Sequence, residues 1–136
     1  MSLSLGLAIA SSAGDIAGQE LTRSLTGIAE IILSAAEDIH IHKPAATALA
    51  HRVKETINVI VDAQTESGHT IISPEWKAAL DDFKSVLIDI HHALDEIRQQ
   101  SYLAQIIHRT RIATGIEDLS QRLKDAFAVL KVTFEV

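Results

Sequence analysis

The sequence predicts an all-α fold, an antiparallel four-helix bundle with an additional apolar N-terminal helical segment and a short helix before the last long helix. Three observations predict it. Apolar residues recur in alternating steps of four and three along four long stretches, and that spacing is one buried stripe of a helix. Hydrophobic content is 47% while aromatic content is only 4%, so aliphatic side chains must fill the core. Two prolines and six glycines are too few to punctuate the many short strands of a sandwich.

The first stripe runs Leu21, Leu25, Ile28, Ile32, Ala35 and Ile39. It stops before Pro44, which disfavours helical geometry at Lys43. The second is Ala46, Leu49, Val53, Ile57 and Ile60, with Val61 and Gln64 on its flank, and it ends near Ser67-Gly68. Residues 68–72 form the longest clear loop, whose Ile71 and Ile72 are expected to fold back onto the core. Ser73-Pro74 then supplies a capping hydroxyl and a proline at the first helical position, where its missing N–H is harmless. The third stripe follows as Trp76, Leu80, Phe83, Leu87, Ile90, Leu94 and Ile97. Tyr102, Leu103, Ile106 and Ile107 suggest a short helix across one end of the bundle. The fourth stripe is Ile112, Ile116, Leu119, Leu123, Phe127 (or Ala126) and Leu130. The β-branched and aromatic residues from Val132 to Val136 are expected to fray or dock loosely.

Upstream, residues Ser2 to Gly14 carry no charge. No Lys or Arg precedes them, as a secretory signal would require, and they are shorter than the ~20 residues of a membrane-spanning helix. Leu3, Leu7, Ala10, Gly14, Ala17 and Leu21 continue the four-three spacing, with a slip of phase before Leu25. Gly6, Gly14 and Gly18 weaken that helix, by roughly 1 kcal/mol each relative to Ala, so a break or overhang is expected near Gly14 to Gly18. The domain reading is therefore an apolar segment over 1–14, a bundle over 15–132, and a tail over 133–136 leading to a following domain.

Composition narrows the function. The chain has no cysteine, which excludes disulfides, thiolate metal sites and a thiol nucleophile, and which suits the cytosol. Its net charge of −6 argues against nucleic acid as a partner, because phosphate binding needs a basic face. The same charge weakens simple attraction to anionic lipid. Seven histidines invite a metal reading, and Glu37/His40 and Asp89/His92 both have the Glu/Asp-x-x-His spacing of di-iron bundles. If Ile32, Ile39, Leu87, Ile90 and Leu94 mark the buried stripes, those ligands point outward, and no metal or other cofactor is expected. His91 with Asp95 reads in the same way, as an exposed histidine beside a helical carboxylate. His40-Ile41-His42 reads as a solvated pair near a helix end. Asp81-Asp82 and Glu117-Asp118 are adjacent and so diverge on a helix, and neither a Gly-x-Ser-x-Gly elbow nor a Gly-rich phosphate loop occurs. The chain is accordingly read as non-enzymatic. Charge is uneven: residues 73–100 sum to −3, from three Lys/Arg and six Asp/Glu, and 101–136 sum to +1, from five and four. Arg98, His108, Arg109 and Arg111 make the candidate anion or lipid patch, against the plainer reading that they cover helix ends and pair with carboxylates.

Ala46, Leu49, Ala50, Arg52, Val53 and Ile57 read as A-x-x-L-A-x-R-V-x-x-x-I. Leu80, Phe83, Leu87, Ile90 and Leu94 follow, then Ser101 with Leu103, and finally Ile116, Leu119, Leu123, Ala126 and Phe127. This order resembles the N-terminal helical domain of the mixed lineage kinase domain-like family, over roughly residues 15–132. It is also similar to the fungal HeLo-type and related adaptor domains, and plant resistance-protein helical domains share the architecture. The resemblance implies regulated cell death or innate-immunity signalling. It implies a bundle that an attached or partner kinase or nucleotide-binding domain triggers to self-associate and to attack membrane. A cytoplasmic chain would then move to the plasma membrane on activation. The family's apolar N-terminal helix corresponds to Leu3, Leu5, Leu7, Ile9, Ala13 and Ile16, the expected residues of insertion or oligomerisation. The acidic charge departs from the basic lipid-facing surface of family executioners and favours hydrophobic insertion or a pure adaptor role.

Overall fold

The computed structural model describes residues 18–67 and 74–135, with side chains described over 23–63 and 74–132. The described helices are α1 (Gly18–Glu37), α2 (Lys43–Ser67), α3 (Pro74–Gln99), the short α4 (Tyr102–Ile107) and α5 (Arg109–Glu135). The stripes read from sequence form the core. Leu25, Ile28, Ile32, Ala35 and Ile39 of the first are buried, as are Ala46, Leu49, Val53, Ile57 and Ile60 of the second. Trp76, Leu80, Phe83, Leu87, Ile90, Leu94 and Ile97 are all buried, which makes α3 the most thoroughly enclosed helix of the set. Ile112, Ile116, Leu119, Leu123 and Leu130 close the core from α5, with Ala126 and Phe127 partly buried against it.

The helices pack as a square in which α1 neighbours α2 and α3, and α5 neighbours α3 and α2. Consecutive partners α1/α2 and α3/α5 run antiparallel, as short links require. The other two neighbouring pairs, α1/α3 and α2/α5, run parallel. Arg98, near the end of α3, reaches Asp38, just past the end of α1. His42, just before α2, donates from Nε2 to the carbonyl of Arg109, the first residue of α5. Helices α2 and α3 therefore lie on a diagonal although they are consecutive in the chain. The loop expected over 68–72, with Ile71 and Ile72, and the cap at Ser73 lie outside the described residues.

At the α1–α2 turn His42 takes a left-handed conformation, with φ of 63°, and its carbonyl accepts from Ala46 N to start α2. Histidine enters that region more readily than most non-glycine residues, and here the turn must reverse the chain within five residues, 38–42. Helix α4 begins at Ser101, whose Oγ accepts from Ala104 N at 3.1 Å. It ends at His108, whose N–H still reaches Ala104 O while its carbonyl accepts from Ile112 N. At the far end α5 continues to Glu135, so of the residues expected to fray or dock loosely, Val132 to Glu135 extend the helix instead, and Val136 lies outside the described residues. Once Leu130 anchors the preceding turn, each further residue adds a backbone hydrogen bond at little nucleation cost.

Candidate interaction site

The predicted insertion residues Leu3, Leu5, Leu7, Ile9, Ala13 and Ile16 lie outside the described residues. The predicted basic patch is divided. Arg98 turns toward α1, where it pairs with Asp95 at 2.6 Å and Asp38 at 3.3 Å. Those contacts, the hydrogen bond it donates to Asp95 first, raise its pKa and hold it charged. His108 and Arg111 instead share the lip of a groove between α3 and α5. Arg109 is exposed beside them, and its backbone carbonyl is taken by His42.

This groove has a volume of about 520 Å³. Its floor includes Ala93, Ile97, Ile116 and Leu119, and Ala104 of α4 bounds one end. Gly115 also lines it, and a Cβ added there would meet nothing within 4 Å. Leu103 and Ile107 stand beyond Ala104 and are 66% and 68% exposed. The apolar residues that signalled α4 in the sequence are thus mostly on its outer surface.

What fixes α4 is Gln105, fully buried and missed by a search for apolar spacing. Its Oε1 accepts from His40 N at 3.2 Å and from Ile41 N at 2.9 Å. Its Nε2 donates to the carbonyls of Ile97 and Gln100, both at 3.2 Å. One side chain therefore ties the α1–α2 turn to the end of α3. The His40 ring rests edge-on against Tyr102, with centroids 6.0 Å apart, and braces the same corner.

A second polar group of residues lies mid-bundle. Lys84 and His91 are 2% and 1% exposed, and among the described residues neither Lys84 Nζ nor either His91 ring nitrogen has a hydrogen-bond partner. The expectation that His91 is solvated beside Asp95 is thereby corrected. Lys84, His91 and Arg98 recur every seven residues, so they share the flank of α3 that Arg98 turns to α1. Fourteen residues back from Asp38, level with Lys84, Ser24 Oγ is likewise buried and unbonded. Burial lowers the pKa of Lys84 against the raising influence of Asp81. Burial also lowers that of His91, opposed by Asp95 and reinforced by His92 and Arg98. His92 and Glu37, by contrast, point outward as the stripes require.

Among the described residues no group of three His, Asp or Glu side chains converges as a metal site, and no helix is long and apolar enough to cross a membrane. Closed core, outward-facing charges and a surface groove define a helical bundle domain. Residues 23–136 match the family described as Mixed lineage kinase domain-like N-terminal domain, and the chain belongs to that family of cell-death-related, non-catalytic helical bundle domains. No curated protein and no solved structure matches the chain. The family match leaves residues 1–22 outside it.

Proposed function

We propose that the chain is a cell-death and innate-immunity signalling bundle that self-associates on activation and perturbs membranes through its apolar N-terminal residues. The observation that carries the reading is the pairing of a bundle of this family with an uncharged stretch, Ser2 to Gly14, directly upstream. Leu3 and Leu7 place large apolar groups on one stripe of that stretch. Small Ser, Gly and Ala residues between them permit close helix–helix approach. With a net charge of −6, the force on the bilayer is hydrophobic burial rather than attraction to headgroups. His108 and Arg109, with Arg111 in the unpaired chain, supply the local anion contact, because Arg98 is already committed to Asp95 and Asp38. An attached or partner kinase or nucleotide-binding domain provides the trigger, and activation takes the chain from the cytoplasm to the plasma membrane.

The test compares wild type with Leu3→Glu/Leu7→Glu, both forced to oligomerise in cells and both checked for helicity by circular dichroism. The double variant is expected to lose killing and to lose leakage of liposomes. A folded double variant that matches wild type in both assays overturns the insertion mechanism. The acidic charge favours a second reading, a soluble adaptor that recruits partner domains without touching lipid. That reading takes over if wild type itself neither kills nor permeabilises.

A further inference from the structure

The outer face of α4 and α5 carries a second stripe, separate from the one that builds the core. Ile107, Arg111, Gly115, Asp118, Arg122, Asp125, Val129 and Val132 follow one another in steps of three and four, so they share one side of the helix. Every one of them is exposed except the half-exposed Gly115. The face carries across the break at His108, because Ala104, His108, Arg111 and Gly115 all line the same groove. Its two ends are apolar, with Leu103 and Ile107 at 66% and 68% exposure and Val129 and Val132 at 57% and 62%. Its middle is charged. Arg122 is held by Asp89 of α3 at 2.6 Å, and Gln121 donates to Asp125. Arg111 and Asp118 enter no ion pair among the described residues. Mid-helix, Gly115 weakens α5 by about 1 kcal/mol relative to Ala. No contact within the described chain requires it, since the space over it is open.

We propose that two copies of the chain pair antiparallel along this face, Ile107 of each covering Val129 of the other and Arg111 of each meeting Asp125 of the other. The pairing rests on the self-association reading above and specifies its surface. One register satisfies both kinds of contact, because the pairs 107/129 and 111/125 are both centred on Asp118. In a twofold interface each contact then occurs twice, so one helix face is complementary to itself. Leu103 and Val132 extend the apolar contact at each end, and the bare backbone at Gly115 lets the helices approach. Asp118 falls at the axis beside its own copy, a like-charge contact that keeps the pair weak until activation raises the local concentration.

The chain has no cysteine, so introduced thiols report unambiguously. A mixture of Ile107→Cys and Val129→Cys proteins is expected to form the mixed disulfide on mild oxidation, whereas Ile107→Cys mixed with Val59→Cys, an exposed position on α2, is expected not to. By sedimentation, Arg111→Asp and Asp125→Arg should each weaken pairing about tenfold, the double exchange should restore it, and Asp118→Asn should tighten it. Pairing that persists in both single variants, or equal cross-linking to position 59, overturns this surface while leaving self-association standing. A wild-type chain that stays monomeric even when fused to an inducible dimeriser and then released overturns both.

Discussion

At the α4 end of the bundle a buried amide, Gln105, finds four backbone partners, whereas along the middle of α3 a buried ammonium and a buried imidazole find none among the described residues. The difference is one of location along the helices. Helix ends leave N–H and C=O groups without intrahelical partners, and Gln105 sits where the N–H groups of one turn and the last carbonyls of α3 converge. Mid-helix, every backbone group is already spent on its own ladder, so Lys84 and His91 meet only side chains and apolar surface. Buried polarity therefore locks the bundle at its end and loosens it along the α1–α3 contact.

Three substitutions sharpen or break this contrast. Gln105→Leu keeps the volume but strips the His40 and Ile41 N–H groups and the Gln100 carbonyl of this partner, while the Ile97 carbonyl keeps the N–H of Gln100. It is expected to destabilise the chain by about 3 kcal/mol in urea unfolding, at about 1 kcal/mol or more for each group that water does not reach. A loss within the surface range of about 0.5 kcal/mol would mean that the clasp is ornamental. Lys84→Met removes an unpartnered ammonium while keeping an unbranched apolar chain, and should stabilise by about 1–2 kcal/mol. Destabilisation of that size would reveal a partner for Nζ and undo the comparison.

The smallest effect is expected from His91, and its sign follows from linkage. Its folded-state pKa lies below the ordinary 6.5, so below that pH the unfolded chain binds the proton more readily. Stability should thus fall as pH drops from about 6.5 toward the folded-state pKa, by less than about 1 kcal/mol per pH unit above any general acid loss. His91→Leu should remove that increment from thermal melts taken between neutral and mildly acidic pH. An unchanged pH profile in the variant would show that the ring is not what resists acid.

The stripes were legible because burial on a helix repeats at the helical period. Trp76 to Ile97 could be placed from spacing alone, and all seven are buried. The flanks of those stripes were not legible. His91 lies beside the core line of α3, and whether that flank meets water or another helix depends on which neighbour sits there. That in turn depends on α1 rather than α2 packing beside α3, a matter of topology that spacing does not encode. Gln105 was invisible for a related reason. Its partners come from residues 40, 41, 97 and 100, and only the fold brings those ends together. As for the candidate site, the cationic residues near the α3–α5 connection were identifiable, but their division between the groove lip and the α1 corner was set by where Asp38 stands.

The diagonal placement of α2 and α3 bears on how the chain folds. Each half, 18–67 and 74–135, is a hairpin whose helix–helix contacts are close in sequence, and such local closures are quick. The contacts of α1 with α3 and of α2 with α5 all join one half to the other. This topology predicts that the two hairpins close before they dock on one another. That docking step is the one that must strip water from Lys84 and His91. The expected weak point of assembly, and of opening, is therefore the α1–α3 contact.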